Sequence, residues 1–402
     1  MSAGIHIVLI GLNICLEKQE GDKNFWVELL PYLSDEVSKI TILSIKDHHV
    51  SVEKKYIGGC EIMIKYFPPH LIAIGEAGKN RLINRKGGFP AIWGVLEKIL
   101  SVKKICAELK RLHREEPYHH IHLMDNMGIG NRIIAASAKT EVSVSAMAYQ
   151  GKFGLLYDKY LLLSYRHTKL TIVPYSKTYA EKLQSIGIPR ERIRQIKWGV
   201  DTRRRPEPAA GSNNLERLLS VPAGKCMYLW AGYLQQIRRK EFLLAYKCAI
   251  KALAGGLDGI FYFAFKLEAM AEEFKSLNNP VQGIHVKATT VDEFKNLQQR
   301  ADIFYSPFGD KNIIIAPPLT WIEVLNYGRP VLTTVVRGAD EIIVNGKTGF
   351  MARDEDDIVE KMFDLQRGYK GMREDCLKMI RDKYDIANSA AEYLSLFRGG
   401  GQ

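Results

Sequence analysis

Short β-branched runs alternate with longer stretches of helical period from the start of the chain. IHIVLIGL (5–12), KITILSIK (39–46) and EIMIKYF (61–67) read as buried strands, and KNFWVELLPYLS (23–34) as a helix between the first two. This order predicts a parallel sheet covered by helices, hence an α/β fold. Between 91 and 116, Trp93, Leu96, Leu100, Ile105, Leu109 and Leu112 recur at helical spacing. Lys98, Lys103, Lys104, Lys110, Arg111 and Arg114 fill the other faces, which gives an amphipathic helix with a basic rim. YHHIHLMDNMG (118–128) is a further strand, and Asp125-Asn126 at its end occupies the carboxyl edge where open α/β sheets bind ligands. His120 and His122 share a face of that strand without a cysteine or carboxylate at ligand spacing, so the pattern argues against a metal.

Periodicity stops at TRRRPEPAAGSNN (202–214), a polar, proline-bearing hinge. Strands resume with KCMYLWAG (225–232), FYFAF (261–265), GIHVKATT (283–290) and ADIFYSP (301–307). A helix is predicted from about Pro318, where proline suits the first turn and the free N–H groups attract an anion. Glu323 lies one turn in, within reach of ribose hydroxyls, as the acidic residue of dinucleotide sites is. Gly328-Arg329-Pro330 ends this helix, and Val331 to Thr334 form a short buried strand.

At 402 residues the chain exceeds what one core accommodates, so two domains are expected. The six cysteines are scattered with no C-x-x-C pair, which reads as reduced thiols in a cytoplasmic protein. The first apolar run lacks a basic lead and is too short to span a bilayer, so it is read as a strand rather than a signal or anchor. Net charge is +12, and residues 1–200 hold 29 Lys and Arg against 19 Asp and Glu. Such a basic half suits an anionic membrane surface or a phosphorylated acceptor. No recognition module or base-stacking pattern accompanies it, which speaks against nucleic acid.

The run PPLTWIEVLNYGRPVLTTVVRGADEIIVNGKTGF (317–350) resembles the nucleotide-binding core of the retaining glycosyltransferases of family 4, the group 1 glycosyltransferases. These show an E-A-M-A-x-G-x-P-V helix followed by G-x-x-E-x-I-x-x-G-x-x-G-F. LTIVPYSKTYAEKLQSIGIPRERIRQIKWGVD (170–201) is similar to the segment that closes the family's first domain. The resemblance implies a GT-B fold: two Rossmann-like, doubly wound domains facing a deep cleft. It divides the chain into an acceptor-binding domain at 1–198, a donor-binding domain at 199–380 and a C-terminal helix at about 381–402 crossing back to the first domain.

It further implies a metal-independent transferase that needs no cofactor and moves a sugar from a nucleotide-sugar donor to a glycan, lipid-linked or small-molecule acceptor, with retention. Arg238 and Arg239 stand at the family's pyrophosphate-binding lysine, where positive charge assists the leaving group. Pro318, Leu319, Thr320 and Glu323 take the phosphate and ribose, and Val286 and Lys287 line the base pocket. Gly21 takes the place of a glycine-rich loop facing the donor phosphates, although Gly21-Asp22 reads equally as a turn before a helix cap. Asp125, Asn126, Tyr149 and Gln150 are candidates on the acceptor side.

Three positions depart from the family pattern. Tyr233 replaces an arginine, Met147 lies where related mannosyltransferases have a histidine, and Ile315 stands in the sugar-contacting glutamate's place, with Asp310 and Lys311 nearby in the same loop. The alternative is therefore a degenerate GT-B protein that binds a nucleotide or a protein partner without catalysis. Monotopic members set a basic first domain on anionic lipid, so a peripheral position on the inner membrane face is also expected.

Overall fold

A computed structural model of the protein describes residues 4–12, 14–16, 22–46, 50–67, 89–124, 129–146, 154–166, 169–203, 224–232, 239–265, 267–277, 281–312, 314 and 316–399. The chain forms two α/β units. One contains the N-terminal strand, Lys23–Lys197 and the C-terminal stretch from Ser389; the other contains Trp198–Asn388.

The first unit is built on a seven-stranded sheet of order β3-β4-β2-β1-β5-β6-β7. Its strands are β1 (Ile5–Leu12), β2 (Val37–Ile45), β3 (Val52–Ile57), β4 (Cys60–Phe67), β5 (His120–Leu123), β6 (Glu141–Ala146) and β7 (Leu170–Pro174). Residues Ile7 to Ile10 of β1 are fully buried, as a central parallel strand covered on both faces must be. Every pairing is parallel except β3 with β4, an antiparallel hairpin across Gly58-Gly59. The hydrophobic pattern passes over β3, because VEKKYI is an edge strand with mostly exposed side chains and three charges.

Helices α1 (Asp22–Leu33), α2 (Phe89–Glu115), α3 (Ile129–Ser137), α4 (Gly154–Tyr165) and α5 (Lys177–Ser185) accompany this sheet. Ser176 caps α5, its hydroxyl accepting from the Tyr179 amide at 3.1 Å. The basic rim of α2 is partly committed: Arg111 bonds Glu108 and Glu115, and Lys65 reaches Glu108 from β4 at 2.9 Å. Lys103, Lys104 and Lys110 are exposed.

The second unit carries a six-stranded parallel sheet of order β10-β9-β8-β11-β12-β13. These are β8 (Cys226–Gly232), β9 (Gly259–Phe265), β10 (Ile284–Ala288), β11 (Ile303–Ser306), β12 (Val331–Thr334) and β13 (Gly349–Ala352). Strand order runs outward in both directions from β8 and β11, the reversal at which doubly wound sheets bind ligands beyond their carboxyl ends. Trp230, Phe242, Phe263, Phe265 and Phe274 pack ring on ring beneath α6 (Arg239–Ala254) and α7 (Glu268–Leu277).

The remaining helices are α8 (Val291–Arg300), α9 (Leu319–Asn326), α10 (Glu355–Gly368), α11 (Arg373–Lys383) and α12 (Ile386–Phe397). A single helix over 381–402 is not what forms. The chain breaks at Tyr384-Asp385, where the Asp385 carboxylate accepts from the Ala387 amide at 2.8 Å and the Ile386 amide bonds Val200. The residues from Ser389 onward then join the first unit, where Tyr393 packs 4.9 Å from Trp26 and 5.3 Å from His122, centroid to centroid.

Candidate functional site

The loop between β11 and α9 is held from below by the end of β12. Thr333 donates its hydroxyl to the Ser306 carbonyl at 2.8 Å. Thr334 accepts from the Phe308 amide at 2.9 Å and donates to the Phe308 carbonyl at 2.8 Å. Two buried hydroxyls with such partners fix the start of the loop as firmly as a further strand pairing would. Phe308 turns inward against fully buried Trp321 of α9, ring centroids 6.1 Å apart. Further along, the Arg337 amide bonds the Lys311 carbonyl at 3.1 Å. Asp310 accepts the Asn312 amide at 2.9 Å, which makes this carboxylate part of the turn.

Helix α9 begins at Leu319, with Pro318 at the N-cap (φ −59°, ψ 142°) rather than inside the first turn. Pro318 makes no side-chain cap bond to it. Proline has no hydroxyl or carboxylate to offer the first amides, so the positive end of the helix keeps its capacity for an external acceptor. Leu319 is buried, whereas Pro318 and Thr320 are partly exposed beside that end. Trp321, Ile322, Val324 and Leu325 anchor the helix in the core.

Glu323 projects from the partly exposed side of α9. One of its oxygens accepts a hydrogen bond from the Gln298 amide nitrogen at 2.9 Å. Gln298 belongs to α8 and is only 1% exposed. The sequence marks Glu323 but not Gln298, which sits in the polar run VDEFKNLQQR and offers no local signal of its contact. The sequence likewise marks the two threonines of β12 only as strand.

Val286 and Lys287 lie on β10, the edge strand of the sheet, with Val286 partly buried and Lys287 exposed. The Lys287 ammonium pairs with Glu293 at 2.8 Å. Glu293 also completes a capping box with Thr290 at the start of α8. The bond from Lys287, reinforced by the Thr290 amide, holds the Glu293 carboxyl below its ordinary range. Lys287 thus has a structural partner on the helix that carries Gln298.

Arg239 opens α6, although its side chain lies outside the described residues, as do Arg238 and Tyr233. Ile315, Gly21, Asp125, Asn126, Met147, Tyr149 and Gln150 also lie outside them. In the first turn of α6, Lys240 is exposed and Glu241 buried.

The strand histidines find hydroxyl partners. Ser143 Oγ lies 2.8 Å from His120 Nε2 and 2.7 Å from His122 Nδ1, and Ser145 Oγ lies 2.9 Å from His122 Nε2. Burial lowers the His120 pKa to about 3, and burial beside His120 drives His122 well below its usual range. Both imidazoles are neutral and belong to the core of the first unit.

Residues 250–367, which span α9 and its loop, match the family model of Glycosyl transferases group 1. The chain is 25% identical over 191 residues to the putative colanic acid biosynthesis glycosyltransferase WcaL of Escherichia coli K12, covering 46% of this chain and 44% of that protein. It spans less than half the length of the curated relatives it matches. Across almost the whole chain its fold is that of solved GT-B glycosyltransferases. The HepE protein of Anabaena, crystallised with UDP and glucose, superposes with a TM-score of 0.67 at 12% identity, over 97% of this chain and 98% of its own. The E. coli trehalose-6-phosphate protein bound with UDP-2-fluoro glucose gives a TM-score of 0.67 at 12% identity, over 98% of this chain and 99% of its own.

Proposed function

We propose that this protein is a glycosyltransferase that moves a sugar from a nucleoside-diphosphate sugar to an acceptor hydroxyl with retention of configuration. The observation that carries the proposal is the uncapped start of α9 with Glu323 one turn away, on a loop clamped by Thr333 and Thr334. A ribose diol donating to the Glu323 carboxylate would bring its diphosphate toward the amides of Leu319 and Thr320 beside Pro318. The helix end then offsets the phosphate charge.

Departure of the diphosphate leaves negative charge on the oxygen that breaks from the sugar. Arg238 and Arg239 are the groups proposed to neutralise it. That same phosphate oxygen takes the acceptor's proton, so no protein nucleophile is required, and the chemistry needs neither a metal nor a cofactor. Val286 and Lys287 are assigned to the base, Gly21 to the donor phosphates and Ile315 to the sugar. Asp125, Asn126, Tyr149 and Gln150 are assigned to a carbohydrate, lipid-linked or small-molecule acceptor. The first unit takes the acceptor role and the second the donor role. The exposed lysines of α2 suit a peripheral position on anionic lipid at the inner face of the membrane.

A second reading, nucleotide binding without catalysis, draws on the replacements Tyr233, Ile315 and Met147. One experiment separates the two: thermal shifts with UDP, GDP and ADP and their sugars, alongside hydrolysis of each sugar nucleotide. The HepE complex makes UDP the first choice. Saturation at about 100 times Kd is expected to stabilise the protein by about 2.7 kcal/mol, and Glu323→Ala to abolish that shift. Stabilisation with hydrolysis supports transfer, and stabilisation without any turnover favours the binder. Absence of a shift with every nucleotide rejects both.

A further inference from the structure

We propose that Gln298 is a positioning residue for Glu323, and that the pair, rather than the carboxylate alone, makes the site select ribonucleotides over deoxyribonucleotides. The inference rests on the ribose-binding reading of Glu323 given above. It begins from an oddity of α8. Apart from Gln298, the buried residue of this helix is apolar Leu297, and most of the others are polar or charged and stand at least partly in solvent. Burying a carboxamide forfeits its bonds to water, and a leucine in the same space would not incur that loss. Gln298 recovers one such bond by donating Nε2 to Glu323 Oε2 at 2.9 Å.

The chemistry of the donor matters. A glutamate side chain has three rotatable bonds, and a diol gains from the carboxylate only when both oxygens are held in its plane. A hydrogen bond to one oxygen from a side chain locked in the core stops that rotation before ligand arrives. A lysine or arginine in place of Gln298 would also hold the carboxylate, but would neutralise the charge that makes it a strong acceptor of two hydroxyl protons. A carboxamide is neutral and occupies one of the roughly four lone-pair directions of the carboxylate. Lys287 on β10 instead pairs with Glu293, at the start of the same helix.

The test is a thermodynamic cycle between protein and ligand on the full chain. Affinities for UDP and 2′,3′-dideoxy-UDP are measured by calorimetry for wild type, Gln298→Leu, Gln298→Met and Glu323→Ala, with ADP and its dideoxy form as a second pair. Gln298→Leu is expected to weaken UDP by about tenfold, the equivalent of one hydrogen bond, while dideoxy-UDP binds within about twofold of wild type. A merely structural role would weaken both ligands equally, and that result, or no change in either, overturns the proposal. Gln298→Met repeats the measurement should the leucine variant fail to fold. If Glu323→Ala erases the preference for the ribonucleotide and neither Gln298 variant alters it, Gln298 is dismissed and the ribose reading stands. If Glu323→Ala leaves the preference intact, or no nucleotide binds, the ribose reading itself falls and the proposal with it.

Discussion

A methyl group placed on Gly349 would lie 1.9 Å from the carbonyl oxygen of Val331. The two residues are register partners on β12 and β13, and Gly349 has φ +148°, a conformation other residues rarely adopt. The glycine before Phe350 in the NGKTGF segment is therefore required by backbone approach.

Gly349→Ala is expected to destabilise the second unit by at least about 2 kcal/mol, because neither backbone can retreat without breaking the sheet. In a thermal melt this corresponds to a loss of about 4 °C or more. A variant melting within about 1 °C of wild type would show that the strands separate freely.

The His120–Ser143–His122 cluster sets a pH dependence. Burial depresses both histidine pKa values in the folded state, so the unfolded chain binds more protons and stability rises with pH. The contribution is fully present above about 6.5 and is lost as pH falls toward 3, at about 1.4 kcal/mol per unit from His120. His122 acts in the same direction. Urea midpoints between pH 7 and 5 are expected to fall accordingly, and His120→Gln to flatten the slope. Equal slopes in the two proteins would refute the assignment.

Tyr393, with no exposed surface, joins α12 to Trp26 and His122 within the first unit. Tyr393→Ala removes a buried ring and is expected to cost about 3–5 kcal/mol. Chemical denaturation followed by near-UV dichroism reads this directly through Trp26. A cost below about 1 kcal/mol would mean that the helix contributes little to that core.

Lys103, Lys104 and Lys110 are exposed on α2, whereas Arg111 is tied to Glu108. Burial alone would raise the Glu108 carboxyl pKa, but its bonds from Arg111 and Lys65 outweigh this and the net shift is downward. The proposed membrane contact through this face therefore falls on these lysines and the exposed Arg114. Sedimentation with anionic vesicles is expected to decline steeply with added salt and to be lost in the triple Lys→Glu variant. Binding that ignores salt would exclude an electrostatic surface. Among the described residues no helix is long and apolar enough to cross a membrane.

Much of the second unit is legible along the chain, because most of its strands are apolar runs, with Gly232 closing β8 and Pro307 following β11. The helix after Pro318 and the position of Glu323 one turn inside it follow from the same punctuation. Strand β3 escapes detection, since an edge strand has no buried face to impose alternation. The break between α11 and α12 also escapes: KYDIANSAA has helical composition, and the bonds of Tyr384 and Ile386 to Val200, with the Asp385 carboxylate on the Ala387 amide, interrupt it. The exposed lysine at 287 looks available in sequence, yet the capping box at Thr290 places Glu293 within its reach.

The order of apolar and polar residues determined the two α/β layers, the buried strands and the helix whose start lacks a cap. It did so because burial is periodic within a single element and leaves its mark on neighbouring residues. Tertiary structure alone decided which side chains meet: Gln298 with Glu323 across two helices, Ser143 between two histidines, and Gly349 beneath Val331. Such meetings depend on the register and packing of elements distant in the chain, and hydrogen bonds and steric contacts reward positions to within tenths of an ångström, which no local pattern encodes.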